Sequence, residues 1–248
     1  MKTPIGLTAK LPVLDLFKES MQLLWQKRNQ VLKMFLPIVV LMAFIDWAAE
    51  SFFNTDDLTI KIIFALVSTM FSVLFATAAH QFTLLPEQQR NYSQAIRIWG
   101  QNELRYLLRA LQIGIIVSVF LMLIIFSIML ANDNPILAFF VGLVIVAGAL
   151  YIWGRLSIIL PEAALGKPTS LKRAWGLSEG NGVGLCLVVV IIPMLIMSPF
   201  FALFLIDSPL FNYVAALGVY VTTLISLVAL SLSYRFLASF YDVQDFKA

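Results

Sequence analysis

Six apolar stretches, at about 34–49, 62–84, 107–131, 136–160, 183–206 and 213–240, dominate this chain and decide what it can fold into. About 20 apolar residues wound as a helix cross about 30 Å of hydrocarbon, and a helix satisfies its own backbone hydrogen bonds on the way. Five of the stretches meet that length outright. The first is shorter, with Lys33 at one end and Asp46 and Glu50 at the other, and it spans if those groups reach the interfaces. A chain of 248 residues that is 60% hydrophobic and 12% charged has more apolar surface than one soluble core can cover. The expected fold class is all-α, a polytopic membrane protein with six transmembrane helices in a single transmembrane domain, 1–248.

The charges sort themselves along those spans. Six Lys or Arg lie in 1–33, four in 90–109, four in 155–173 and two in 235–247, while Lys61 alone falls on the other side. This asymmetry predicts cytoplasmic N- and C-termini. The opposite loops hold Asp56, Asp57, Asp133 and Asp207, and their Asn-Asp-Asn-Pro and Asp-Ser-Pro sequences are turn-formers, too short for an external domain. The formal charge of +3 is then a matter of topology, and no nucleic-acid partner is expected. The polar first 30 residues show no apolar core with a cleavage site, so no removable signal peptide is expected.

A short phrase recurs. Leu11-Pro12, Leu85-Pro86 and Leu160-Pro161 are each followed, after twelve or thirteen residues, by Trp25, Trp99 and Trp175. A fixed period of this kind marks repeated supersecondary units, here about 10–84, 85–159 and 160–248. Each phrase opens an amphipathic segment too short to span, which predicts interfacial helices at about 13–26, 92–100 and 170–178. Asn29, Gly100 with Asn102, and Gly180-Asn181-Gly182 are the expected breakers. The unit reads as an interfacial helix followed by a two-span hairpin. Three parallel copies are able to close into a six-helix ring.

A second recurrence places Arg155 seven residues before Glu162, Arg235 seven before Asp242, and His80 seven before Glu87. Seven helical residues are two turns, about 10.5 Å, too far for direct pairing. Either the arginines snorkel to the cytoplasmic rim, or the base of one module reaches an acid of another. His80, the single histidine, reads as a hydrogen-bonded structural residue, with a proton relay as the alternative. Arg97, Lys172 and Arg173, beside Trp25, Trp99 and Trp175, form a collar suited to anionic headgroups. Lone Cys186 supports neither a disulfide nor a cysteine metal site, and no nucleophile–base pair or metal-ligand cluster can be assembled. No catalytic residues, metal or cofactor are expected.

The stretch Gly154-Arg155-Leu156-Ser157-Ile158-Ile159-Leu160-Pro161-Glu162-Ala163-Ala164, the segment Ser170 to Asn181 and the closing Tyr241-Asp242 resemble the YciC-like family of bacterial inner-membrane proteins. The membrane domain of some glycerophosphodiester phosphodiesterases is similar. The resemblance implies six spans and a bacterial inner-membrane location, and little biochemistry. The phosphodiesterases work through a separate soluble barrel, for which this sequence leaves no residues. The expected role is non-enzymatic binding of lipid, or of a protein partner, at the cytoplasmic leaflet. A small-molecule or lipid transporter is the alternative, suggested by the repeats and opposed by the scarcity of polar residues at mid-span.

Overall fold

A computed structural model describes residues 10–52, 58–90, 94–130, 134–206 and 208–245. All regular structure among them is helical: α1 (Val13–Gln26), α2 (Arg28–Phe52), α3 (Leu58–Leu84), a 3-10 turn (Glu87–Gln89), α4 (Gln101–Leu130), α5 (Pro135–Ser157), α6 (Leu160–Ala164), α7 (Leu171–Leu177), α8 (Gly182–Cys186), a π-helical turn (Leu187–Ile191), α9 (Ile192–Leu203) and α10 (Pro209–Asp245). Six stretches are long and apolar enough to cross a membrane: Arg28–Ala49, Leu58–Leu84, Gln101–Met129, Ile136–Ala164, Gly182–Leu203 and Pro209–Tyr241. The protein is an all-α, polytopic membrane protein.

The helix α10 organises the bundle. It packs against α2, α3 and α9 and carries α1 on its end. Successive spans also meet in chain order, α2 with α3, α3 with α4, α4 with α5, α5 with α8 and the π-helical turn, and α9 with α10, which closes the circuit on α2 and reaches α3 as well. The α2–α3–α10 core is built on edge-to-face aromatic pairs, Phe35 with Phe75 at 5.9 Å and Phe35 with Phe82 at 5.6 Å, beside fully buried Ala78, Ala79, Val228 and Ala229. Small residues let backbones approach, which matters where lipid is as apolar as the helix surfaces and packing must come from van der Waals contact. The α4–α5 hairpin packs on itself, and beyond its partner α4 meets α3 and α6 while α5 meets α7, α8 and the π turn. Much of the rest of its surface is exposed Leu, Ile, Val and Phe, as a lipid-facing hairpin requires.

The segments that follow the three Leu-Pro phrases differ. The first is a helix, as expected, and buries Leu16, Phe17 and Ser20 while exposing Leu14, Met21 and Trp25. It is broken at Lys27 rather than at Asn29, which sits in the first turn of α2. The third forms α6 and then α7, whose Ser170 N-cap accepts a hydrogen bond from the Arg173 N–H at 3.1 Å. The second is a correction to the interfacial helix expected over 92–100: residues 94–100 run as a bend and irregular chain. Its backbone groups are claimed from outside. The Ala95 N–H donates to the Met34 carbonyl at 3.1 Å, and the Gly100 N–H donates to Glu103 Oε2 at 2.9 Å, the latter closing the start of α4.

Candidate functional site

Long-range hydrogen bonds gather the basic segments at one end of the bundle. The Leu11 N–H donates to Asn181 Oδ1 at 2.7 Å, Gln30 Nε2 to the Glu87 carboxylate at 3.1 Å, Arg235 Nη2 to Glu19 Oε1 at 2.7 Å and Arg105 Nη1 to the Gly166 carbonyl at 2.5 Å. The first Leu-Pro phrase is thus tied to the last glycine-rich breaker, 170 residues away in sequence. This basic end carries almost every residue that the sequence singles out.

Arg155 does not snorkel. It is buried, donates from Nε to Ser178 Oγ and from Nη2 to the Trp175 carbonyl, both at 2.8 Å, and lies 3.5 Å from the Trp175 ring centroid. The fork satisfies the last turn of α7 while the indole covers it, a desolvated cation–π contact. Glu162 also corrects an expectation, because its base comes from its own module. Arg173 Nε donates to both carboxylate oxygens at 2.8 and 3.0 Å, and Tyr234 Oη donates to Oε1 at 3.2 Å. The Glu162 side chain is 2% exposed and that of Arg173 24%. Arg235 does reach another module, but its acid is exposed Glu19. The side chain of Asp242 lies outside the described residues, as do Asp56, Asp57, Asp133 and Asp207.

Arg97 and Arg173 are turned into the protein instead of toward headgroups. Arg97 Nη2 lies 2.5 Å from Glu103 Oε1 and 2.9 Å from Thr77 Oγ1, so the pair pins the irregular 94–100 segment to α3 and α4. Burial selects this role: a bidentate guanidinium is the side chain best able to satisfy a desolvated carboxylate. Lys172 is exposed, as a headgroup contact requires. Trp25 and Trp175 are exposed, Trp25 with the Arg28 guanidinium 5.4 Å from its ring, whereas Trp99 is half-buried and its indole N–H has no partner.

His80 is fully enclosed. Its Nδ1 lies 2.8 Å from Ser231 Oγ, and since that hydroxyl donates to the Leu227 carbonyl, the histidine supplies the proton. Nε2 is buried with no partner, and the ring lies 5.7 Å from that of Tyr106. Glu87 is engaged by Gln30, so the two residues do not act as a pair.

Three features escaped sequence reasoning. Tyr220 and Ser68 both donate to Asp46, tying α2, α3 and α10 near the opposite end. Two largely apolar cavities of about 550 and 490 Å³ flank Tyr106, with hydroxyls from Ser157, Ser226, Ser72 and Thr223 among the walls. The third is a cleft of about 460 Å³ between α4 and the 166–169 loop, lined by Arg105, Arg109 and Lys167 and by no carboxylate. The i, i+4 spacing of Arg105 and Arg109 puts both on one helix face, the one signal the sequence offered. Among the described residues no group of three His, Cys, Asp or Glu side chains is placed to hold a metal. The chain matches no family model, no curated protein and no solved structure.

Proposed function

We propose that this is a non-enzymatic bacterial inner-membrane protein of the YciC-like kind, its basic end in the cytoplasm, where it holds anionic phospholipid headgroups. The observation that carries this reading is the set of bases exposed at that end. After Arg155, Arg97 and Arg173 have been turned inward, Lys18, Lys27, Arg28, Lys33, Lys167 and Lys172 remain exposed there, with exposed Trp25 three residues before Arg28 and exposed Trp175 three after Lys172. A base near an anionic leaflet contributes about 1 kcal/mol, and Trp favours headgroup depth. Solute or lipid transport is a second reading, favoured by the cavities beside Tyr106 and opposed by their apolar walls, which offer no charged binding group.

A ligand that binds only the folded state raises its stability with concentration. Thermal unfolding of the detergent-solubilised protein should therefore shift upward with anionic phospholipid and much less with a zwitterionic one of equal chain length. Joint replacement of Lys18, Lys27, Arg28 and Lys172 by glutamine should reduce that difference. Equal shifts with both lipids would overturn the proposal, and saturable solute flux in liposomes would favour transport.

A further inference from the structure

We infer that the cleft between α4 and the 166–169 loop is a phosphoryl-binding site, filled by the phosphate of a membrane phospholipid or by free phosphate. The inference rests on the proposal that this end meets anionic lipid, and it names where the headgroup sits.

The loop owes its shape to a helix stop. Leu160–Ala164 ends with Gly166 at φ 74°, the Gly166 N–H donating to the Ala163 carbonyl at 3.0 Å and the Lys167 N–H to the Glu162 carbonyl at 3.3 Å. That is a Schellman closure, which needs a residue at positive φ, and glycine meets the need without strain. It leaves the Gly166 carbonyl pointing outward, where Arg105 Nη1 takes it at 2.5 Å. Three residues on, Arg109 Nη2 donates to the Thr169 carbonyl while its Nη1 donates to Gln112 Oε1 at 2.6 Å. Both guanidiniums are thereby fixed against the loop rather than waving in solvent. Each has five N–H donors, so the loop and Gln112 use one from Arg105 and two from Arg109 and leave the rest.

What remains matches an oxyanion. Lys167 stands on the opposite lip, exposed, and the Thr169 hydroxyl is buried with no partner in the protein. The nearby acids are already committed, Glu162 to Arg173 and Glu103 to Arg97. Three cations therefore share a cleft of about 460 Å³ with no carboxylate among its walls, an arrangement that is repulsive until an anion enters. Leu108 lines the cleft, and exposed Leu111 and Ile115 continue along α4 into the span. This gives an acyl chain somewhere to lie once its phosphate is held.

The test titrates full-length protein in detergent with inorganic phosphate, with anionic phospholipid and with zwitterionic phospholipid, reading thermal stability. Lys167→Gln should weaken the response to anionic ligand about fivefold, the equivalent of about 1 kcal/mol, and Lys167→Glu should weaken it further. Arg105→Gln with Arg109→Gln should abolish it. Because those two arginines also hold the loop, Lys167, whose side chain has no recorded partner, keeps the test decisive if the double variant does not fold. A response to inorganic phosphate equal to that of lipid would confirm the site and assign it free phosphate, whereas a response to phospholipid alone would assign it the headgroup. An unchanged response in both Lys167 variants would overturn the cleft assignment. If the response is then still lost on neutralising Lys18, Lys27, Arg28 and Lys172, the broader reading of the basic end survives; if it persists there too, both fail.

Discussion

Arg173→Ala will destabilise the protein by about 3 kcal/mol, while Arg235→Ala will cost less than about 1 kcal/mol, although both arginines lie at the same end and both pair with a glutamate. The difference lies in what each substitution leaves behind. Removing Arg173 strips the bidentate partner from a Glu162 carboxylate whose side chain is only 2% exposed, with the Tyr234 hydroxyl as its other recorded donor. Breaking a buried pair from one side costs about 3–5 kcal/mol, and the partial exposure of Arg173 argues for the lower end of that range. Removing Arg235 leaves Glu19, whose side chain is 48% exposed, free to hydrate. Arg173→Lys should fall between, since it keeps the charge and loses the fork. Chemical unfolding of the detergent-solubilised variants measures all three. Equal losses for Arg173→Ala and Arg235→Ala would mean that Glu162 is not the desolvated centre described here.

Gly154→Leu should prevent the bundle from assembling, and Gly142→Ala should be harmless. A Cβ at position 154 would sit 2.7 Å from the Cys186 Cα and 2.8 Å from its backbone nitrogen, because α5 and α8 touch backbone to backbone there. Neither atom can swing aside, so the helices would have to part, carrying Arg155 away from α7. Overpacking a well-filled contact costs about 1–3 kcal/mol even when side chains can yield, and backbone yields less. At Gly142 a Cβ meets nothing within 4 Å, and alanine is the better helix former by about 0.5–1 kcal/mol. Fluorescence-detected size-exclusion chromatography separates the outcomes: a collapsed monodisperse peak for Gly154→Leu and an intact one for Gly142→Ala. A monodisperse, thermally normal Gly154→Leu would contradict the close α5–α8 crossing.

Hydrophobic run length was enough to predict five of the six spans, since the bilayer sets the length a helix must reach, and the first, Arg28–Ala49, needed the further argument that its charged ends reach the interfaces. The helices at 13–26 and 170–178 were legible too, because an apolar face and a breaker are local signals. The segment expected at 92–100 has the same pattern, and its described part, 94–100, a different backbone. There, hydrogen bonds to Met34 and Glu103 and the Arg97 contact with Thr77 outweigh helical propensity, and none of those partners is encoded in the segment itself. Arg155 misled for the same reason. An arginine near a span end snorkels unless something covers it, and Trp175 covers it from 20 residues away. The π-helical turn at Leu187–Ile191 left no compositional mark, in a run of valines that fits any apolar helix.

The most direct measurement of whether the basic end recruits anionic headgroups is the lipid that stays with the protein. Wild-type protein in membrane discs containing equal amounts of anionic and zwitterionic phospholipid, with matched chains, should be released in a native mass spectrometer carrying mainly the anionic lipid. Retained lipid in the same one-to-one ratio as the disc would contradict that account.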